Sequence, residues 1–173
     1  MSEFVNTVDV LGGDDAMTDA LIQRTLTEFL DNRVTKIRTF AFSDCTDLVY
    51  VNIPNVEYVR TYGFSTCASL TTFDAINVTG IGAMAFYNCQ SLKAVILRGG
   101  TVCSLGASSA LSNTPIASGT GYIYVPAALL DDSDATKDYR QATNWSTYAA
   151  QFRALESFTV DGTVDGELDE TKI

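Results

Sequence analysis

Apolar residues return along this chain at a fixed step. Three stretches, AFSDCTDL at 41–48, GFSTCASL at 63–70 and AFYNCQSL at 85–92, share one layout. Phe42, Phe64 and Phe86 are 22 residues apart, and so are Cys45, Cys67 and Cys89, and Leu48, Leu70 and Leu92. The same step joins Val34, Val56 and Val78, then Ile37, Val59 and Ile81, then Val51, Phe73 and Val95, then Ile53, Ala75 and Leu97. Within a coil these positions follow one another at intervals of three, five, three, three, three and two residues. One such coil cannot bury them alone, but stacked coils lay each column against its own kind and build a continuous core. The closing interval of two is strand alternation, so Leu48-x-x-Val51-x-Ile53 predicts a short strand, and stacking predicts a parallel sheet.

Partial coils flank the three regular ones. A step of 22 back from Leu48 and Val51 reaches Leu26 and Phe29, which predicts the strand of an incomplete first coil. Ahead, VCSLGASSALSNTPI restarts the pattern after a slip of two residues, with Val102 for Val78, Leu105 for Ile81 and Asn113 in the cysteine place. That coil runs on into YIYVP, where Ile123 and Val125 point inward and Pro126 matches Pro54.

The pattern AF-x-x-C-x-x-L with the following V-x-x-I, repeated in register across residues 26–126, resembles the BspA-like class of leucine-rich repeats. That class is known from bacterial surface antigens and from proteins of gut-bacterial phages and prophages. The resemblance implies an α/β solenoid: short, right-handed, with a parallel β-sheet, a 22-residue period and helical caps at both ends. It implies recognition or adhesion, not catalysis. A small group at the cysteine place, cysteine or asparagine, is what such a repeat uses. The chain then divides into an N-terminal segment with a helical cap and partial first repeat (1–33), repeats (34–126), a C-terminal helical cap (127–156) and an acidic tail (157–173).

Composition narrows the chemistry. The 173 residues include no histidine. That removes histidine-assisted serine and cysteine nucleophiles and HExxH zinc sites. Cys45, Cys67 and Cys89 lack the CxxC spacing of a metal site, lack a base, and form an odd column that cannot pair completely as disulfides. Neighbouring coils do bring their Cα atoms to within disulfide range, about 5 Å. They are expected as reduced packing thiols, with Asn113 continuing the ladder and Cys103 a further small buried residue. No cofactor, metal site or enzymatic activity is expected. The net charge is −10. Residues 1–33 carry seven acids and two bases, 34–98 four and five, and 99–173 ten and four. Acidic ends disfavour nucleic acid as a partner. No apolar run approaches the ~18 residues of a membrane span.

The outward strand positions are the candidate binding residues. They form one column of Tyr50, Thr72, Ala94 and Tyr122 and a second of Asn52, Asp74, Ile96 and Tyr124. Tyrosines and an exposed isoleucine suit a protein or glycan on a host or virion surface; the other reading is that terminal helices or a sister subunit cover this face. At the ends, residues 13–25 are expected to form a helix capped by Asp14 or Asp15, with Phe4–Val10 an edge strand before it. A second helix is expected from Ser146, carrying Tyr148, Phe152 and Leu155, with Trp145 plugging the last coil. The Asp-Gly pairs of the tail suggest a small hairpin. Asp131, Asp132 and Asp134 read as a solvated loop rather than a calcium site. The N-terminus shows no secretory layout, so with the resemblance the expected protein is a phage or prophage virion-associated accessory protein that contacts a host surface or another virion subunit, located in the virion or in the bacterial cytoplasm before assembly. The alternatives are a bacterial cell-surface adhesin and an intracellular structural or assembly protein, with homo-oligomers open in each.

Overall fold

The computed structural model describes residues 26–130, 133–134 and 136–155. Among the described residues, ten short strands build two parallel stacks. The first stack holds β1 (Glu28–Leu30), β3 (Tyr50–Asn52), β5 (Thr72–Ala75), β7 (Ala94–Leu97), β9 (Tyr122–Val125) and β10 (Phe152–Ala154). β1 pairs with β3, and β5, β7, β9 and β10 are hydrogen-bonded in that order. The second stack is β2 (Lys36–Ile37), β4 (Tyr58–Val59), β6 (Gly80–Ile81) and β8 (Ser104–Leu105). Every pairing is parallel, as coils wound in one direction require.

The core lies between the stacks. Phe73, Val95, Ile123 and Phe152 are strand partners along one wall, and Ile37, Val59, Ile81 and Leu105 along the other. All eight are buried. A third side is closed by the AF-x-x-C turns. There Phe42, Phe64 and Phe86 stand in a file, with ring centres 5.0 and 5.5 Å apart and planes within 6° of parallel. The turns are also bonded to one another: the amides of Phe42, Phe64 and Phe86 donate to the carbonyls of Gly63, Ala85 and Ala110 at 2.7, 2.8 and 2.9 Å. Each coil thereby satisfies backbone groups of the next, which a buried turn must do.

These turns hold a left-handed residue in two places. Phe40, Tyr62 and Met84 have φ of 61°, 57° and 55°, and Asp44, Thr66, Asn88 and Asn113 have φ of 63°, 61°, 60° and 59°. The second set places Asn113 opposite Asn88, just before the cysteine place. The expectation that Asn113 continues the cysteine ladder is therefore corrected: Asn113 is exposed and Thr114, buried, takes that place. The reason is the size of the slip. Gly80 pairs with Ser104, 24 residues on, so β8 lags by two. In the turn, the acceptor of Phe64 lies 21 residues on at Ala85, but that of Phe86 lies 24 on at Ala110, so the lag has grown to three. The extra residue lies between Gly106 and Ala110, where the 3-10 turn Ser108–Leu111 begins.

The far end closes differently from the helix expected at Ser146. Trp145–Gln151 is a 3-10 stretch with a break at Tyr148, and Phe152 opens β10 instead of continuing a helix. The edge of β9 presents unpaired backbone groups, and a parallel strand satisfies them where a helix could not. Trp145 closes the core, packed against Tyr139 and Phe152 with ring centres 5.5 and 5.9 Å away. Its Nε1–H donates to the Cys103 carbonyl at 2.6 Å, while the Cys103 amide donates to the Tyr139 hydroxyl at 2.8 Å. The expected N-terminal helix and edge strand, the tail hairpin, and Asp131 and Asp132 lie outside the described residues.

Candidate binding face

Strand alternation places the eight candidate residues on the outer side of the first stack, as Thr72↔Ala94↔Tyr122 and Asp74↔Ile96↔Tyr124 in register, with Tyr50 and Asn52 on the adjacent β3. The structure divides this face in two. On β3 and β5, Tyr50, Asn52, Thr72 and Asp74 line an open groove of about 130 Å³. Its far wall is Arg98, whose Nε and Nη2 donate to the two carboxylate oxygens of Asp74 at 2.8 and 2.9 Å. Ile76, 50% exposed, adds an apolar edge. On β7 and β9 the expectation of an exposed face is corrected. Ala94, Ile96 and Tyr124 are at most 1% exposed and form a small second core, packed by Tyr122 and Leu155. Chain following β9 supplies this cover: β10 adds at the edge, Leu155 packs on the cluster, and Arg153 lays its guanidinium 4.3 Å from the Tyr122 ring centre.

Arg98 and Ile76 were not among the residues expected from the pattern. One further step of two along each strand, from Asp74 to Ile76 and from Ile96 to Arg98, would have reached them. The Asp74–Arg98 pair spans adjacent coils in fork geometry, which fixes its direction. It is partly exposed, so its part in stability is small, at roughly 0–1 kcal/mol. The pair lines the groove together with Tyr50 and Asn52.

The cysteines present no reactive group. Cys45, Cys67, Cys89 and Cys103 are free and buried. The thiols of Cys67 and Cys89 donate to the carbonyls of Phe42 and Phe64, each at 3.0 Å. Hydrogen bonding of Cys67 to Cys45 and Cys89, together with burial, holds its thiol protonated far above the ordinary thiol range. Burial pushes the Cys103 thiol up to about 12. A nucleophile needs the thiolate, and these surroundings suppress it at Cys67 and Cys103. Among the described residues no group of three or more Cys, Asp or Glu side chains could hold a metal ion. No helix among them is long and apolar enough to cross a membrane.

Parallel strands stacked coil on coil, with a core of like residues in file, define a leucine-rich-repeat protein. The chain belongs, more particularly, to the family described as BspA type leucine rich repeat region, whose model matches residues 22–121 in six copies. That family is in general a non-enzymatic binding scaffold. No curated protein matches the chain. Among solved structures, a leucine-rich repeat protein from Bacteroides ovatus ATCC 8483 is similar at 20% identity and a TM-score of 0.33, over 60% of this chain and 44% of that one. The chain therefore spans less than half of that protein.

Proposed function

We propose that the protein is a non-enzymatic binding and adhesion module whose β3–β5 groove grips a protein on a host surface or on another virion subunit. The groove carries the reading: an ion pair fixed across two coils, flanked by a tyrosine, an asparagine and an exposed isoleucine, is a small polar-and-apolar site of the kind that anchors protein contacts. The family supports binding in general. The virion setting rests on the sequence resemblance, and a bacterial surface adhesin would use the same groove.

Two measurements test this. Mass spectrometry of purified phage particles from the source strain should find the chain; its absence there, with presence in the cell envelope, would move the reading to the adhesin. Labelled full-length protein should bind the target cells or particles. Tyr50→Ala with Asp74→Ala should cut that binding by about tenfold or more, the weight of a small hot spot. Unchanged binding by the folded double variant would remove the groove from the function.

A further inference from the structure

The second stack turns another face outward, and its central column is Lys36, Tyr58, Gly80 and Ser104, partners in register along β2, β4, β6 and β8. Gly80 decides what this face looks like. A Cβ on it would lie 2.2 Å from Cε2 of Tyr58 and 2.7 Å from Cδ2, so the Tyr58 ring occupies the space a side chain would take and lies across the neighbouring coil. The result is a half-exposed aromatic ring laid along a sheet. Cations surround it. Lys36 is the strand partner of Tyr58. Arg60 brings its guanidinium carbon to 5.4 Å from the ring centre. Arg38 stands opposite Arg60 one coil away, because Ile37 pairs with Val59. All three are exposed, and among the described residues none of them joins a salt bridge. Glu57, just before β4, is the acid nearest to them in sequence, and Asp44 and Asp47 lie beyond Phe42 in the turn.

We propose that this face is a second binding site, separate from the groove, and that it takes an acidic sugar of the uronate type. A sugar ring has an apolar side of C–H groups with partial positive charge, which the negative face of an aromatic ring attracts as it attracts a cation. A uronate adds a planar carboxylate, the group an arginine fork holds with two parallel hydrogen bonds. Tyr58 supplies the first and Arg60, long and exposed, the second. Arg38 and Lys36, about 4.8 Å away on the adjoining strand, meet the next polar groups of the glycan. Charge complementarity argues for an acidic ligand, since these cations stand together on a chain whose net charge is −10. The ring argues for a sugar over an acidic peptide, which needs cations but no aromatic platform.

The full-length chain should be titrated with trigalacturonate, neutral galactotriose and hexaglutamate by calorimetry. Trigalacturonate should bind at least about tenfold more tightly than either control, a margin of ~1.4 kcal/mol. Tyr58→Ala and Arg60→Ser should each weaken it about tenfold with the fold intact by circular dichroism, while Tyr58→Phe, which keeps the ring, should retain it. Asp74→Ala, in the groove on the other stack, should leave it unchanged, which keeps this outcome separate from that of the proposed function. No binding of trigalacturonate, equal binding of hexaglutamate, or full binding by Tyr58→Ala would each overturn the proposal.

Discussion

Single residues in the turns carry strain that their neighbours offset. Thr66 has φ of 61° where the equivalent residues of the flanking coils are Asp44 and Asn88. Asparagine and aspartate tolerate that conformation, whereas a β-branched side chain crowds its own backbone there. The Thr66 amide donates to the Tyr87 carbonyl at 2.8 Å, so the cross-coil bond holds the strained geometry in place. Thr66→Asn should therefore stabilise the protein by about 0.5–1 kcal/mol, read as a higher urea midpoint. An unchanged or lower midpoint would show that the threonine is not strained. The buried thiols make a second prediction at this scale. Burial pushes the Cys103 thiol up to about 12 in the folded chain, from an ordinary value of 9.0. Above about pH 9 the unfolded state gives up this proton and the folded state keeps it, so stability is full below that pH and falls as pH rises toward 12. The slope is about 1.4 kcal/mol per pH unit for this one thiol. Cys67, raised in the same direction, adds to the fall. Denaturation midpoints from pH 7 to 11 should drop steeply, and less steeply in Cys103→Ala.

At the scale of elements, the repeated coils were legible in the sequence because each apolar column recurs unbroken. Phe42, Phe64 and Phe86 could only meet by stacking. What the columns could not show was how the chain behaves once they stop. Trp145, Tyr148 and Phe152 follow at spacings of three and four, which suit a helix, yet the open edge of β9 draws Phe152 into a strand. Asn113 looked like a ladder residue because one identity match cannot distinguish a lag of two from a lag of three. Of the candidate face, Tyr50, Asn52, Thr72 and Asp74 were readable from alternation. The burial of Ala94, Ile96 and Tyr124 was not, since period-2 patterning says which way a side chain points and not what later chain lies over it. The cap predicts its own cost of removal. Trp145→Ala empties a buried site and leaves the Cys103 carbonyl without its indole partner. It should cost about 3–5 kcal/mol in chemical denaturation. Trp145→Phe, which keeps most of the packing, should cost less. Equal losses would place the weight on the hydrogen bond alone.

At the scale of the whole molecule, a solenoid has no contact between distant coils, so its cooperativity must pass through each neighbour. Here the passage is continuous. Phe64 touches Phe42 and Phe86 in file and also Phe73 of β5, with ring centres 5.0, 5.5 and 5.8 Å away. Beside the strand walls, it is a ring link by which the first coils and the later ones share a core. The single tryptophan, Trp145, lies at the far end and is a local reporter of the cap. In the unaltered protein its fluorescence and the far-ultraviolet circular dichroism should change together on urea unfolding, since every coil interface is intact. Phe64→Ala opens a cavity at the centre and should cost about 3–5 kcal/mol. If coupling runs through the phenylalanine file, the two signals should then separate. The dichroism should begin to fall at lower urea as the N-terminal coils open, while Trp145 keeps its buried emission, held by Tyr139, Phe152 and Cys103. Signals that remain coincident at a lower midpoint would show that the two strand stacks alone bind the coils into one cooperative unit, with the ring file contributing packing but not coupling.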